Sequence, residues 1–212
     1  MRTVCRLSLS LLVAATAGLV TPAALADALR LRYEATMGTL TAGFIDVAIN
    51  ADAQRYEVTG EAQSTGLLDL VKEFRSRFSA WGRLHQGEPQ AEHYHYAQRD
   101  VNKEKQVTVE KGQVTYVRNG EKRPTTAVQP GIDLVAALWV VEDCARLRDV
   151  HTGRNLYQFS LLEQSAEGCR FNVKSEDRES DVEIFYAERG GRRVPSLIRS
   201  SGVFDGELHL TE

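Results

Sequence analysis

Alternation of apolar and polar residues dominates the sequence after its first 26 residues. Apolar side chains occupy every second position of the first such segment, in the order Leu29, Leu31, Tyr33, Ala35 and Met37. A period of two is typical of a strand that buries one face. The same pattern returns in short segments as far as Leu210, with turn dipeptides such as Lys111-Gly112 and Asn119-Gly120 between them. The sequence therefore predicts neighbouring antiparallel strands.

Two segments depart from this alternation. A short helical turn is expected at Leu67–Val71, before the next strand. The longer segment is an apolar run from Ile132 to Val141, behind Pro130-Gly131, in which Asp133 can cap the first helical turn. Its helical face toward the sheet would comprise Leu134, Leu138 and Val141. The predicted fold is mostly β: a curved antiparallel sheet, or partly open β-barrel, wrapped around one main α-helix.

The first 26 residues have the pattern of a cleavable secretory signal peptide. Arg2 and Arg6 are positive, residues 7–20 are apolar and uncharged, and Ala24-Leu25-Ala26 fits the small-residue cleavage rule. The apolar run is shorter than the roughly 20 residues that a membrane-spanning helix needs. We expect cleavage after Ala26, a periplasmic protein without a transmembrane anchor, and a single domain from residues 27 to 212.

Charge and cysteine content narrow the possible partners. The formal net charge is −3 at pH 7, which disfavours nucleic acid as a partner. Cleavage removes Cys5 and leaves Cys144 and Cys169, and a pair in an oxidising compartment indicates a disulfide. The alternative is half of a zinc site that includes His151, but this spacing matches no common zinc pattern.

Motifs for catalysis are absent from the sequence after the signal peptide. It lacks G-x-S-x-G, S-x-x-K, H-E-x-x-H, a Walker A loop and G-x-G-x-x-G. His93 and His95 share one strand face and would need a third metal ligand from elsewhere, so two exposed histidines are the simpler interpretation. We expect no enzyme, no cofactor and no metal, although catalytic groups that converge from distant positions remain an alternative.

Three segments resemble the bacterial exported family called domain of unknown function 3108 (DUF3108). They are Gly66–Phe78, the Asn119-Gly120 turn and Gly131–Trp139, and the resemblance extends over most of the chain after residue 26. It implies a half-open antiparallel barrel closed by a helix, similar to the lipoprotein-localisation-factor architecture. It also implies a periplasmic envelope protein that is not a catalyst, and it supplies no catalytic residues.

Two groups of residues are candidates for binding. An apolar groove between sheet and helix would be lined by Leu31, Tyr33, Phe74, Phe78, Leu134, Leu138 and Trp139. Trp139 is also a natural core residue. A basic strip with one aromatic residue, able to meet an anionic headgroup or a partner's carboxylates, comprises Arg75, Arg77, Trp81 and Arg83. The alternative for this strip is an ordinary solvated strand face.

These candidates lead to three hypotheses. The first is a non-catalytic periplasmic carrier of an apolar, lipid-like or lipoprotein ligand. The second is an envelope-integrity protein that docks another protein while its interior is filled core. The third is an unrecognised hydrolase. A cavity lined by apolar side chains would favour the carrier, and a densely packed interior would favour the docking protein.

Overall fold

The computed structural model describes residues 28–212, apart from residues 67–68, 70–72, 177 and 203–204. The predicted signal peptide lies outside the described residues, as does most of the helical turn predicted at Leu67–Val71. Within the described part of the chain, no helix has the length and apolar character needed to cross a membrane.

Strands account for most of the described chain, as the alternation predicted. The described residues also include a short helix, α1 (Leu134–Trp139), and a 3-10 turn at Cys144–Arg146. The strands are β1 (Leu29–Met37), β2 (Leu40–Ala51), β3 (Arg55–Ser64), β4 (Phe74–His85), β5 (Glu88–Asp100), β6 (Lys103–Glu110), β7 (Gln113–Arg118), β8 (Glu121–Lys122), β9 (Thr126–Ala127), β10 (Ile132–Asp133), β11 (Asp149–His151), β12 (Leu156–Gln164), β13 (Gly168–Lys174), β14 (Glu179–Arg189), β15 (Arg192–Ser201) and β16 (Gly206–Leu210).

All of these strands belong to one curved, open sheet. One arm runs from β1 to β8 and the other from β11 to β16, and the pairing of β16 with β1 joins the arms. Nearly all neighbours are antiparallel, but the short end strand β10 pairs parallel with β11. That end also packs against β5 in the opposite arm. The sheet therefore curls like a barrel that closes by packing instead of by strand pairing.

The pairing register follows from the alternation in the sequence. Leu31 faces Val47 across β1 and β2, and Val47 in turn faces Gly60 on β3. A register slip of one residue would move every apolar side chain to the solvent face. The predicted turns are also present, because Lys111 and Asn119 both adopt positive φ angles, 50° and 51°, before a glycine.

The prediction of one main helix does not hold. The helix has six residues, not ten, because Ile132 and Asp133 pair as a strand with Val150 and His151. Asp133 then caps the helix by accepting a hydrogen bond from the backbone of Ala136 at 2.9 Å. At the other end, Val140 is already the C-terminal cap. The sheet is therefore not wrapped around a substantial helix.

The burial pattern of α1 also differs from the expected single face. Val135, Ala136 and Trp139 belong to the larger core cluster, formed mainly with β1–β7. Ala137 belongs to a second cluster with β11–β14, and Leu134 packs against that cluster. The curled sheet therefore contacts the helix from two sides, and four of its six residues are buried while Leu134 and Leu138 are half-buried.

The predicted disulfide is present between Cys144 and Cys169, whose Cα atoms are 6.4 Å apart. Both cysteines are buried in the second core cluster. The bond links the 3-10 turn that follows α1 to β13. It therefore fastens the inner segment of the chain to the second arm of the sheet.

Candidate functional site

Aromatic rings fill the space where the apolar groove was predicted. The indole of Trp139 stacks on Phe78, with centroids 5.2 Å apart, and its centroid lies 6.3 Å from that of Tyr33. The Tyr33 hydroxyl donates a hydrogen bond to the carbonyl of Pro195 at 2.9 Å. Burial raises the pKa of Tyr33 to about 12, so this phenol is neutral. These groove candidates contact one another directly.

Gly60 explains why Phe78 can lie so close to the sheet. The two residues face each other across β3 and β4, on the core side. A Cβ atom on Gly60 would overlap the ring of Phe78. Because glycine leaves this space free, the ring can approach the backbone of β3 while it stacks on Trp139.

The remaining groove candidates divide into two groups. Leu31 is buried in the same cluster as Phe78 and Trp139. Phe74, Leu134 and Leu138 are only half-buried. The structure therefore brings four of the seven residues together as packed core and leaves three with part of their apolar surface exposed.

Two buried polar residues, Asp133 and His151, lie beside α1 and contact aromatic residues that the sequence did not link to them. Asp133 accepts a long hydrogen bond from the Tyr56 hydroxyl at 3.4 Å, and burial raises the pKa of Asp133 to about 6. Nearby, the ring of His151 meets Tyr94 edge-on at 6.5 Å, and burial lowers the pKa of His151. These contacts join β10 and β11, at one end of the sheet, to β3 and β5. The sequence indicated only the capping role of Asp133.

The predicted basic strip lies on the outer face of β4, where its side chains are exposed. Each arginine is already paired with a carboxylate: Arg75 with Glu73 at 3.2 Å, Arg77 with Glu61 at 2.9 Å, and Arg83 with Glu92 at 2.8 Å. The strip is therefore neutralised by the chain itself. This arrangement offers an anionic partner less free charge than the sequence suggested.

Trp81 is the exposed aromatic residue of this strip. Its side chain is 42% exposed, and its ring stacks on His93 with centroids 5.6 Å apart. His93 in turn stacks on His95 at 6.5 Å, and Thr108 holds His95 through a 3.1 Å hydrogen bond at Nδ1. Burial, followed by the neighbouring His93, lowers the pKa of His95. The two histidines therefore support the indole.

A hollow of about 370 Å³ lies beside Trp81 on the outer face. Glu57 and Glu92 contribute carboxylates to its wall, and Asn50 contributes an amide. The surface thus combines one large aromatic face with several groups that form hydrogen bonds.

Comparison with known proteins supports the fold. No family model matches the chain, and no curated protein sequence matches it. The chain is similar to the crystal structure of a beta-barrel-like protein of the domain of unknown function DUF1849 from Brucella abortus, with a TM-score of 0.54 and 8% sequence identity. The similarity covers 88% of this chain and 96% of that chain. The fold is beta-barrel-like.

At this level of identity the similarity concerns the fold alone. It supports a beta-barrel-like fold and does not single out DUF3108, the family suggested by the sequence motifs. The outer face is suited to binding, since it offers an exposed ring and polar groups. Among the described residues, no group of three or more His, Cys, Asp or Glu side chains is placed to hold a metal ion.

Proposed function

We propose that this protein is a non-catalytic binding protein of the cell envelope that docks its partner on the outer face of the sheet. Its interior serves as structural core. The observation that carries the proposal is the direct stacking of Trp139 on Phe78, because these rings occupy the space that a carried ligand would need.

The outer face supports the same proposal. Most large apolar side chains of the described residues are buried, whereas Trp81 is exposed at the centre of β4. Its orientation is fixed by stacking on His93. Large, oriented aromatic residues contribute strongly to binding surfaces, because they offer contact area at a small cost in conformational entropy.

The predicted signal peptide and the disulfide support the location. A disulfide is typical of an oxidising compartment, and we assign the protein to the periplasm after cleavage at Ala26. We also retain membership of DUF3108 as a proposal, which rests on the segments Gly66–Phe78 and Gly131–Trp139.

Complementation of a deletion strain in the source organism tests the docking proposal. We expect Trp81→Ala to abolish complementation, scored as growth in the presence of a membrane-active detergent, while the protein level and melting temperature stay unchanged. Leu162→Ala is the matched control, since Leu162 is 51% exposed on the distant strand β12. Full complementation by Trp81→Ala would contradict docking through this face.

A carrier of an apolar or lipid-like ligand is the second candidate. The observation in its favour is that Phe74, Leu134 and Leu138 keep part of their apolar surface exposed. A carrier should bind a fluorescent fatty-acid analogue, and Leu138→Arg should abolish this binding without loss of the far-UV circular dichroism spectrum. If the wild-type protein shows no saturable binding, or if Leu138→Arg unfolds it, the interior is filled core.

A further inference from the structure

Two positively charged side chains face each other on the inner face of the sheet. Lys105 on β6 and Arg118 on β7 are directly opposite in the strand register. Each lies two positions from a buried core residue, Val107 and Tyr116 respectively, so by the alternation of strands both side chains leave the sheet on the core side. Like charges directly opposite on antiparallel strands destabilise a sheet unless an opposite charge lies between them.

A third cation reaches the same place from the other arm of the sheet. The turn that follows β11 packs on β6, where a Cβ atom on Gly153 would overlap a methyl group of Val107. The next residue, Arg154, places its guanidinium over the ring of Tyr116, 4.0 Å from the ring centroid. This contact holds the guanidinium on the face from which Arg118, two positions further along β7, also projects. We call these three residues the basic rim: Lys105, Arg118 and Arg154.

The described carboxylates of the chain do not neutralise the basic rim. Its three side chains form no ion pair with any residue that the structure describes. Glu121 faces Arg118 across β7 and β8, but its carboxylate pairs with Arg123 at 3.8 Å. Asp100 on β5 faces Lys103 instead of Lys105. The basic rim therefore keeps three positive charges, although the whole chain has a net charge of −3.

Other pairs of facing cations in the described strands include a member with a carboxylate partner. Each of three such pairs contains one arginine in an ion pair of 3.2 Å or less: Arg83 with Glu92, Arg75 with Glu73, and Arg192 with Glu142. The arginines opposite them are Arg55, Arg99 and Arg189. Lys105 and Arg118 differ, because neither has such a partner among the described residues. An anion from outside the chain would supply the missing charge.

Space for a ligand lies beside Arg154. A cleft of about 740 Å³ opens there, and its walls include Gln158, Lys174 and Glu176. Lys174 pairs with Glu179 at 3.5 Å, whereas Glu176 forms no ion pair with Arg154. A molecule whose anionic group binds at the basic rim would therefore find a polar cleft beside it for its remaining atoms.

We propose that the basic rim binds the phosphate group of a phosphate monoester. This site lies on the inner face and does not depend on docking through Trp81. A phosphate monoester carries a charge of about −1.5 to −2 at pH 7 and three acceptor oxygens, which match a group of three cations. The two guanidinium groups are suited to paired hydrogen bonds with phosphate oxygens, and Lys105 adds a point charge. Arg154 is held in place by Tyr116 before the ligand binds, which lowers the entropic cost of binding.

Isothermal titration calorimetry tests the inference on the full-length protein in chloride buffers of constant ionic strength. Glycerol 3-phosphate and inorganic phosphate are the soluble probes, and sedimentation with vesicles that contain phosphatidic acid tests a lipid source of the same group. We expect saturable binding of at least one of these probes, weakened roughly tenfold or more in Arg118→Gln and in Lys105→Gln. Arg30→Gln is the matched control, because it removes the same charge from an exposed, unpaired arginine on β1. Absence of saturable binding of every probe, or an equal loss in Arg30→Gln, would overturn the inference.

Thermal unfolding separates a ligand site from a merely structural cluster of charges. Lys105→Glu places a carboxylate opposite Arg118, so without phosphate this variant should melt at a higher temperature than the wild type. A probe that binds the wild type should raise its melting temperature, as any ligand of the folded state does, and should leave that of Lys105→Glu unchanged. A lower melting temperature of Lys105→Glu without phosphate, or the same response to the probe in both proteins, would contradict the site.

Discussion

Trp139 at the end of α1 lies parallel to Phe78 on β4, with ring planes 4° apart and centroids separated by 5.2 Å. The two residues are 61 positions apart in the sequence, from 78 to 139. Their contact joins the helix, which follows the end strand β10, to the arm of the sheet that runs from β1 to β8. This ring stack therefore joins β4 to the helix within the larger core cluster.

Removal of the Trp139 ring should therefore destabilise the whole domain. We expect Trp139→Ala to lower the free energy of unfolding by about 3 to 5 kcal/mol, the usual cost of a large aromatic truncation in a core. Trp139→Phe keeps part of the stack and should cost less. Urea denaturation followed by circular dichroism measures both values. A loss below about 1 kcal/mol for Trp139→Ala would mean that the core is not packed as described.

Gly60 should be sensitive to the smallest possible side chain. A Cβ atom at this position would overlap the Phe78 ring, so Gly60→Ala must displace the ring from its stack. We expect a loss of about 1 to 3 kcal/mol in unfolding free energy, as for other overpacked cores. In a Phe78→Leu background the cost of Gly60→Ala should be smaller but not zero, because the overlapping ring atoms are gone while the close contact with the backbone carbonyl of Asp46 remains. Equal costs in both backgrounds would show that Phe78 does not cover Gly60.

The disulfide should stabilise the folded protein because it closes a loop of the chain. Cys144 and Cys169 are separated by 25 residues, for which the chain-entropy model gives roughly 3 to 4 kcal/mol. Cys144→Ser should therefore lower the melting temperature and remove the gel shift that reduction causes in the wild type. Thiol titration provides the control, since the oxidised protein with both cysteines should show no free thiol. Two free thiols in protein purified without reductant would contradict the bond.

Local patterns predicted the strands, the turns and the disulfide. The alternation within β4 alone places Phe78 on the inner face and Trp81 on the outer face. Both orientations could therefore be predicted without knowing which strands lie beside β4. The turns at Lys111-Gly112 and Asn119-Gly120 follow from the glycine of each pair and from Asn119, which tolerate positive φ angles. The disulfide was predicted from the two cysteines, Cys144 and Cys169, that lie outside the predicted signal peptide.

Such local patterns could not predict how short the helix is. The run from Ile132 to Val141 is apolar because the curled sheet buries it from both sides, and periodicity alone does not separate a helix from a buried strand in this situation. Ile132 becomes a strand residue through pairing with Val150, which only the folded chain brings close.

The neutralisation of the basic strip on β4 depends on the register of three strands. The exposed Trp81 was visible in the alternation, but the ion pairs that neutralise Arg77 and Arg83 come from β3 and β5. Contacts between strands of this kind require the pairing to be known first.

Asp133 should make stability depend on pH, with a sign that follows from its raised pKa. Burial raises this pKa from 3.8 to about 6 in the folded protein, while the unfolded chain keeps the ordinary value. Between these values the folded state binds more protons, so stability falls as the pH rises. Below about pH 3 the carboxyl is protonated in both states, and by about pH 7 the loss is complete, at up to about 3 kcal/mol.

Asp133→Asn isolates this effect, since the amide oxygen can still cap α1 at Ala136. We expect the wild-type protein to lose stability relative to Asp133→Asn as the pH rises from 4 to 7, with the difference growing by up to about 3 kcal/mol. Burial lowers the pKa of His151, so this residue has the opposite effect. It destabilises the folded state as the pH falls below the pKa that His151 has in the unfolded chain. That contribution is common to both proteins and cancels in the comparison. Urea denaturation of both proteins at several pH values gives the difference directly, and a constant difference across this range would show that Asp133 titrates as it does in the unfolded chain.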